Sequence, residues 1–195
     1  MTPKPEILSG LDGSKVGPLK GSTDIYDTTA HRQRYAADLG LLVQDGVQIV
    51  RVCIPYHLID RGVYDWTWTD AYMNCMRELG LTPIVDPVHH ASFPPWCIGG
   101  FSHPEFQDRY LAFMEAFVER YPWVTHFTVI NEPVFTTWFC ARQGIWHPRR
   151  RGDDAFVRML NDVCKTICTI SNMLIDRVPG LTLVHPDRSE KKPRS

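Results

Sequence analysis

Two residues with useful chemistry stand side by side where an apolar run of the chain ends. Asn131 and Glu132 follow the segment VTHFTVI, and Pro133 comes immediately after them. A carboxyl group at the end of a buried strand loses hydration, which favours its protonated form and suits it to general acid/base catalysis. The amide of Asn131 donates and accepts hydrogen bonds without titrating, which suits it to a sugar hydroxyl. The alternative is that this tripeptide only begins a surface loop.

Apolar β-branched segments and helical segments alternate along the chain. The run GVQIVRVCIP predicts a buried strand over residues 47–54, and LTPIVDPV, VTHFTVI and LTLVHP predict later strands. Buried strands separated by helices indicate an α/β fold with a parallel sheet. A doubly wound nucleotide-binding sheet would carry a G-x-G-x-x-G turn, which SGLDGSKVG lacks. Polar residues follow successive strands instead, and this pattern favours a fold of the (β/α)8 TIM-barrel type.

Helix boundaries are predicted from capping residues and from apolar spacing. A helix around residues 28–39 is expected to end at Gly40. A second helix is expected to start with a capping box formed by Ser102 and Glu105. Its apolar residues recur at helical spacing and predict a buried face, at Phe106, Tyr110, Phe113, Met114 and Phe117.

The composition argues against several classes of protein. A net charge of −1 provides no strong field for nucleic acid or anionic membranes, and no apolar run approaches the length that spans a bilayer. The six scattered cysteines predict mostly buried, reduced thiols in a cytoplasmic protein, with Cys164 and Cys168 in a helix core. The histidines lack zinc-binding spacing, so neither a metal nor another cofactor is expected.

Several segments resemble the family 1 glycoside hydrolases and the wider clan of (β/α)8 retaining glycosidases. The matching segments are VRVCIPY, PIVDPVHHASFPPW, the Asn-Glu-Pro tripeptide and GIWHPRRRG, and the likeness covers about residues 5–185. It is closest to glycosidase-like domains that precede a dTDP-4-dehydrorhamnose reductase domain in some bacterial proteins. The resemblance implies hydrolysis of O-glycosidic bonds of the β-glycosidase type, with a saccharide or small glycoside as the partner.

The resemblance also implies roles for individual residues. Glu132 would be the acid/base, Asn131 would bind the hydroxyl next to the anomeric carbon, and Arg51 would support the nucleophile. Asp12 lies in the segment where the family usually offers a Gln to the sugar, and His90 takes the place of a usual Trp. Further sugar contacts are expected from His89, His90, Trp96 and Trp146.

The chain departs from the family in its catalytic carboxyl groups. A retaining glycosidase needs two carboxyls about 5–5.5 Å apart, and in this family the nucleophile lies on the seventh strand. The sequence predicts roughly the first five strands and four helices of a barrel, over residues 1–185, and a charged irregular tail, 186–195. Asp86 and Asp12 are alternative partners of Glu132 in an inverting mechanism, although acids in strands and loops are more often structural.

Part of a barrel has two open sheet edges and an uncovered inner face. Three interpretations follow: a piece or shortened form of a full enzyme, self-association of two copies through the open edges, or a non-catalytic carbohydrate-binding module. A sugar-nucleotide enzyme is disfavoured, because the sequence lacks a glycine-rich dinucleotide loop.

Overall fold

A five-stranded parallel sheet forms the centre of the molecule. The computed structural model describes residues 8–16 and 23–188. Within these ranges the strands are β1 (Leu8–Leu11), β2 (Lys15–Val16), β3 (Thr23–Asp24), β4 (Ile49–Cys53), β5 (Thr82–Asp86), β6 (His126–Phe127) and β7 (Thr182–Leu183). The large sheet has the order β1-β4-β5-β6-β7 with parallel neighbours, and β2 pairs with β3 as a small antiparallel ribbon. The predicted α/β fold with five parallel strands is confirmed.

Helices connect successive strands of the large sheet. They are α1 (Ile25–Thr28), α2 (His31–Gln44), α3 (Tyr56–Ile59), α4 (Thr67–Glu78), α5 (Phe106–Arg120), α6 (Pro133–Thr137) and α7 (Asp153–Arg177). Four of these are long, namely α2, α4, α5 and α7, and each connects one strand of the large sheet to the next. A 3₁₀ turn covers Gly100–Ser102, and a π-helical turn covers Trp138–Arg142.

Alternation along β4 separates the core of the protein from the polar face of the sheet. Val50 and Val52 are fully buried and belong to the main hydrophobic cluster. Arg51 and Cys53 point to the opposite face, because successive side chains of a strand alternate. The parallel register pairs Cys53 with Asp86 at the carboxyl ends of β4 and β5. Polar groups of neighbouring strands therefore meet on this face.

An aromatic row on α5 packs the helix layer against the sheet. The predicted apolar residues of this helix are all fully buried, and Phe106, Tyr110 and Phe113 are stacked in sequence. The hydroxyl of Tyr110 donates a hydrogen bond of 2.6 Å to the carbonyl oxygen of Val129. This bond ties the helix to the segment that leads into Asn131 and Glu132.

Two predicted helix boundaries are wrong. Helix α2 continues past Gly40 to Gln44, because this glycine lies in open space and no packing forces the helix to stop there. Helix α5 begins at Phe106 without a side-chain cap. The Ser102 hydroxyl donates instead to Asp162 Oδ2 at 2.8 Å, so it connects two helices rather than capping one.

The cysteines divide between the core and the surface. Cys53, Cys97 and Cys140 are buried free thiols, as expected for most cysteines, but Cys164 and Cys168 are exposed on α7, so the prediction of a core position for them is wrong.

Among the described helices, none is long and apolar enough to cross a membrane. Of the predicted tail, residues 186–188 are described and form no helix or strand, whereas residues 189–195 lie outside the described ranges.

Candidate functional site

The polar residues predicted from the sequence converge on one cavity at the carboxyl ends of the strands. The cavity has a volume of about 330 Å³. Its lining includes one arginine, two histidines, one amide and one acid from the predicted set, which are Arg51, His89, His90, Asn131 and Glu132. They come from three neighbouring strands: Arg51 lies within β4, both histidines follow β5, and Asn131 and Glu132 follow β6.

Asp86 holds two of these side chains in place through hydrogen bonds. Its carboxylate is fully buried, and Oδ2 accepts hydrogen bonds from Arg51 Nη2 at 2.5 Å and from His89 Nδ1 at 2.6 Å. Asp86 is not among the residues that line the cavity. Its geometry therefore fits a structural anchor better than the second reacting carboxylate considered from the sequence.

Asn131 is oriented by Arg51. A guanidinium group only donates hydrogen bonds, so the 2.5 Å contact with Arg51 Nη2 must involve the amide oxygen of Asn131. The amide nitrogen then lies 3.2 Å from His89 Nε2 and 3.3 Å from His90 Nδ1. Because an amide nitrogen donates, His89 Nε2 acts as an acceptor in this arrangement. His90 Nδ1 instead donates to Thr136 Oγ1 at 3.0 Å, because that hydroxyl already donates to the carbonyl oxygen of Asn131.

Glu132 and His90 share an unusual backbone conformation. Their φ angles are 42° and 53°, in the left-handed region that residues other than glycine seldom occupy. Such residues persist where the surrounding structure holds them, and they concentrate at functional sites. The peptide N–H of Glu132 donates to Pro186 at 3.2 Å, and Pro133 begins α6 directly afterwards.

The Glu132 side chain faces the cavity beside His90. Its carboxylate is 29% exposed, and Oε2 lies 3.8 Å from His90 Nε2. The pKa of His90 is lowered to about 3. Burial is the largest cause, the neighbouring His89 adds to the shift, and Asp12 opposes it. His90 is therefore neutral near pH 7, so its ring does not provide a positive charge beside Glu132.

The structure does not place the two predicted stacking tryptophans at the cavity. Trp96 donates from Nε1 to Asp60 at 2.9 Å, and the Arg109 guanidinium lies 3.9 Å above its ring. Both contacts hold this half-buried indole beside the ion pair between Asp60 and Arg109. Trp146 lies behind His90, with ring centroids 4.7 Å apart, and it stacks on Phe139. Neither tryptophan is among the residues that line the cavity.

Several groups that position the site were not predicted from the sequence. Thr128 accepts a hydrogen bond from Arg51 Nε at 3.3 Å, and Thr136 lies 3.0 Å from His90 Nδ1. Cys53 lines the cavity directly. The alternation of β4 was the available signal for Cys53, because it places this residue on the same face as Arg51.

The cavity combines groups for binding hydroxyls with an acid that is open to solvent. Imidazole and amide nitrogens supply donors and acceptors, and Glu132 supplies a proton-transfer group. Within the described ranges, the other carboxylate that lines the cavity is Asp12, whose side chain is 61% exposed. This set of groups suits a polar, uncharged ligand.

Comparisons with known proteins identify the fold. No protein-family model matches the sequence, and a search of curated proteins found no match. Among solved structures, a β-glucosidase from Thermotoga maritima in complex with deoxynojirimycin matches with a TM-score of 0.71 at 18% identity. The same organism's family 1 β-glucosidase, and its complex with glucoimidazole, match with TM-scores of 0.70 and 0.69.

These matches cover 78% of this chain but only 36–37% of the matched chains, so the chain spans little more than a third of their length. At 18% identity the likeness shows the fold alone, and it carries no information on the reductase-fused domains. The matched proteins are glycosidases with TIM barrels. The five parallel strands and their helices are therefore arranged as in part of a TIM-barrel glycosidase.

Proposed function

We propose that the cavity binds a saccharide and that Glu132 is the general acid/base of an O-glycoside hydrolase site of the β-glycosidase type. The observation that carries this proposal is the convergence of Arg51, His89, His90, Asn131 and Glu132 on one cavity at the carboxyl ends of parallel strands. Active sites of barrel enzymes lie at this end of the sheet. The matched β-glucosidase structures contain deoxynojirimycin and glucoimidazole, which supports a saccharide as the ligand.

Each side chain has a role that its contacts allow. Asn131 is held rigidly by Arg51, and its amide N–H groups face the cavity histidines, where they can turn to the sugar hydroxyl next to the anomeric carbon. His89 and His90 donate to or accept from other sugar hydroxyls. The charge on Arg51 orients and stabilises a nucleophile carboxylate placed above it.

The proposed reaction requires a second carboxylate. In the retaining mechanism it would lie about 5–5.5 Å from Glu132 and attack the anomeric carbon. The described residues place Asp12 at the cavity rim, and its carboxylate already accepts a 2.9 Å hydrogen bond from the Ser14 N–H. We therefore propose that the nucleophile comes from outside residues 8–16 and 23–188, and that these residues alone hydrolyse glycosides slowly or not at all.

A second candidate function is non-catalytic carbohydrate binding, either alone or in an assembly of two copies. It is favoured by the open edge of the sheet, where Leu8 on the edge strand β1 is 59% exposed. The other edge strand is β7, and unpaired edges can pair with a second chain. The division into one domain over residues 1–185 and a tail over 186–195 remains a prediction in both candidates, and so does a cytoplasmic location.

Azide distinguishes the two candidates, because it can replace a missing nucleophile. If Glu132 is a working acid, it donates a proton to the leaving phenol while azide attacks the anomeric carbon of phenyl β-glucoside, and α-glucosyl azide forms. Binding of deoxynojirimycin is measured in parallel by calorimetry. Glu132→Gln should keep binding within a few-fold and lower azide-dependent turnover about 10²–10⁴-fold. Glu119→Gln, an exposed acid on α5, is the matched control.

Each outcome of this experiment supports or contradicts one part of the proposal. Azide-dependent turnover that requires Glu132 supports the acid/base role. Saccharide binding without turnover supports the non-catalytic candidate, and the absence of binding contradicts both. Rapid hydrolysis without azide that is lost in Glu132→Gln would show that the chain supplies its own second carboxylate.

A further inference from the structure

Three metal-ligating side chains that line the cavity lie close together. One ligand atom each from Asp12, Cys53 and His89 lies within 4.8 Å of the other two. We propose that these residues form a binding site for a thiophilic divalent cation of the Zn²⁺ class. The site has three protein ligands, and its fourth position is open to the cavity, which is the pattern of zinc sites that keep an exchangeable ligand. The proposal does not depend on glycoside hydrolysis.

The loop that carries Asp12 is fixed against Cys53. The N–H of Gly13 donates to Cys53 Sγ at 3.1 Å, and the N–H of Ser14 donates to Asp12 Oδ1 at 2.9 Å. A Cβ atom at Gly13 would lie 2.6 Å from the ring of Tyr26 and 2.8 Å from Cys53 Cβ. Only glycine lets the backbone approach this closely, so the sequence brings the carboxylate and the sulfur to one place.

The hydrogen-bond pattern leaves a lone pair of His89 directed at a carboxylate. Nδ1 of His89 donates to the buried Asp86 at 2.6 Å, so Nε2 of the neutral ring is an acceptor. Nε2 lies 3.4 Å from Oδ1 of Asp12, which is also an acceptor. Two acceptors that face each other at this distance repel unless a cation or a proton lies between them.

A cation between the two groups satisfies both acceptors at once. The amide nitrogen of Asn131 lies 3.2 Å from the same Nε2, and it is a donor because Arg51 fixes the amide oxygen on the other side. Cation binding would therefore replace this hydrogen bond to His89.

The separation between His89 and Asp12 equals that of two ligands in a tetrahedral zinc site. Two ligands at bond lengths of about 2.1 Å and a tetrahedral angle lie about 3.4 Å apart. The separation between His89 Nε2 and Asp12 Oδ1 is 3.4 Å. The Asp86–His89 hydrogen bond also reproduces the carboxylate–histidine–metal arrangement that orients histidine ligands in metalloproteins.

The chemistry of the donors selects the kind of cation. A thiolate, an imidazole and a carboxylate suit Zn²⁺ or Co²⁺, whereas Mg²⁺ and Ca²⁺ prefer oxygen ligands. Burial, and after it the charge of Asp86, raises the pKa of the Cys53 thiol. The metal-free thiol is therefore protonated, and cation binding transfers its proton to solvent.

Saccharide and cation would share Asp12 and His89, so each should weaken binding of the other. The saccharide needs their hydrogen-bonding capacity, and the cation uses the same lone pairs. Cation binding is nevertheless measured directly. If no cation binds, the acid/base role of Glu132 is unaffected, and if Glu132 is not an acid/base, the cation site is unaffected.

Cobalt(II) is the probe, because a cobalt–thiolate bond gives a charge-transfer absorption band that other ligands do not. The parent protein carries Cys164→Ser and Cys168→Ser, which removes two exposed thiols on α7. We expect one Co²⁺ per chain, the thiolate band, and displacement of Co²⁺ by Zn²⁺. Cys53→Ser should abolish the band, and Asp12→Asn should weaken Co²⁺ binding at least about tenfold.

Two substitutions elsewhere serve as controls. Cys140→Ser removes another buried thiol, and Asp45→Asn removes another exposed carboxylate, and both should leave the band and the affinity unchanged. Asp12 is exposed, so Asp12→Asn tests the site even if Cys53→Ser does not fold. A missing band in the parent, a band that survives Cys53→Ser, or an unchanged affinity in Asp12→Asn would each overturn the proposal.

Discussion

Asp86→Asn should destabilise the protein strongly, because one buried oxygen supports two parts of the site. Oδ2 of Asp86 accepts from Arg51 and His89, while Oδ1 is buried without a hydrogen-bond partner among the described residues. In the variant, the amide oxygen can still accept both hydrogen bonds, but without the negative charge. The amide nitrogen must then occupy the position of Oδ1.

The size of the effect follows from these two changes. A hydrogen bond to a charged group contributes about 1.5–3 kcal/mol and a neutral one about 0.5–1.5, so two weakened bonds cost about 2 kcal/mol. The amide nitrogen adds about 1 kcal/mol, the low end of the range for an unsatisfied buried group, because the Oδ1 atom that it replaces already lacks a partner. Arg51 is 23% exposed, so water compensates for part of its lost interaction with the Asp86 charge. We therefore expect a loss of about 3 kcal/mol, or a Tm lower by about 6–12 °C for a chain of this length.

Denaturant and thermal unfolding measure this loss, and Asp70→Asn provides the matched control. Asp70 also pairs with an arginine, Arg120, at 2.5 Å, but the two side chains are 33% and 42% exposed. Exposed ion pairs contribute about 0–1 kcal/mol, so the control should change stability little. An Asp86→Asn variant no less stable than Asp70→Asn would refute the assignment of Asp86 as a buried anchor.

Two further predictions concern pH and glycine. Native His90 has a lowered pKa of about 3, whereas the unfolded ring takes up a proton near pH 6.5, so stability should fall on acidification between these values. His90→Asn, which tolerates the positive φ, should lessen that fall by at most about 1.4 kcal/mol per pH unit, and an unchanged pH profile would contradict the neutral assignment. Gly40→Ala should stabilise α2 by about 0.5–1 kcal/mol, and Gly13→Ala should destabilise by about 1–3 kcal/mol, measured by denaturant midpoints. Equal effects of the two glycine substitutions would argue against the close packing around Gly13.

The convergence of the site could be predicted from the sequence because it follows from topology. Parallel strands end at one edge of their sheet, so residues just after successive strands meet without any knowledge of side-chain packing. His89 and Asn131 were identified in this way and do line one cavity, whereas Arg51, inside β4, was identified only through the family resemblance. The buried face of α5 was equally predictable, because helical spacing alone defines it.

Contacts between residues that are far apart in the sequence could not be predicted. Trp96 follows a strand like a ligand-stacking residue, but Asp60, far along the chain, takes its indole N–H. Ser102 has the spacing of a cap, but Asp162 on another helix takes its hydroxyl. Cys164 and Cys168 have apolar sequence neighbours and are nevertheless exposed, because the packing of α7 rather than its sequence decides which face is covered.

Asp86 links the two proposals more closely than any cavity-lining residue does. It holds Arg51, which orients Asn131, and it sets the tautomer of His89, which directs a lone pair towards Asp12. Both proposed ligands therefore depend on a carboxylate that neither of them contacts. The burial of Asp86 at the end of β5 is compensated by Arg51, because removing one partner of such an ion pair costs more than the pair itself. Weakened binding of saccharide and of Co²⁺ in folded Asp86→Asn is the joint consequence of this arrangement.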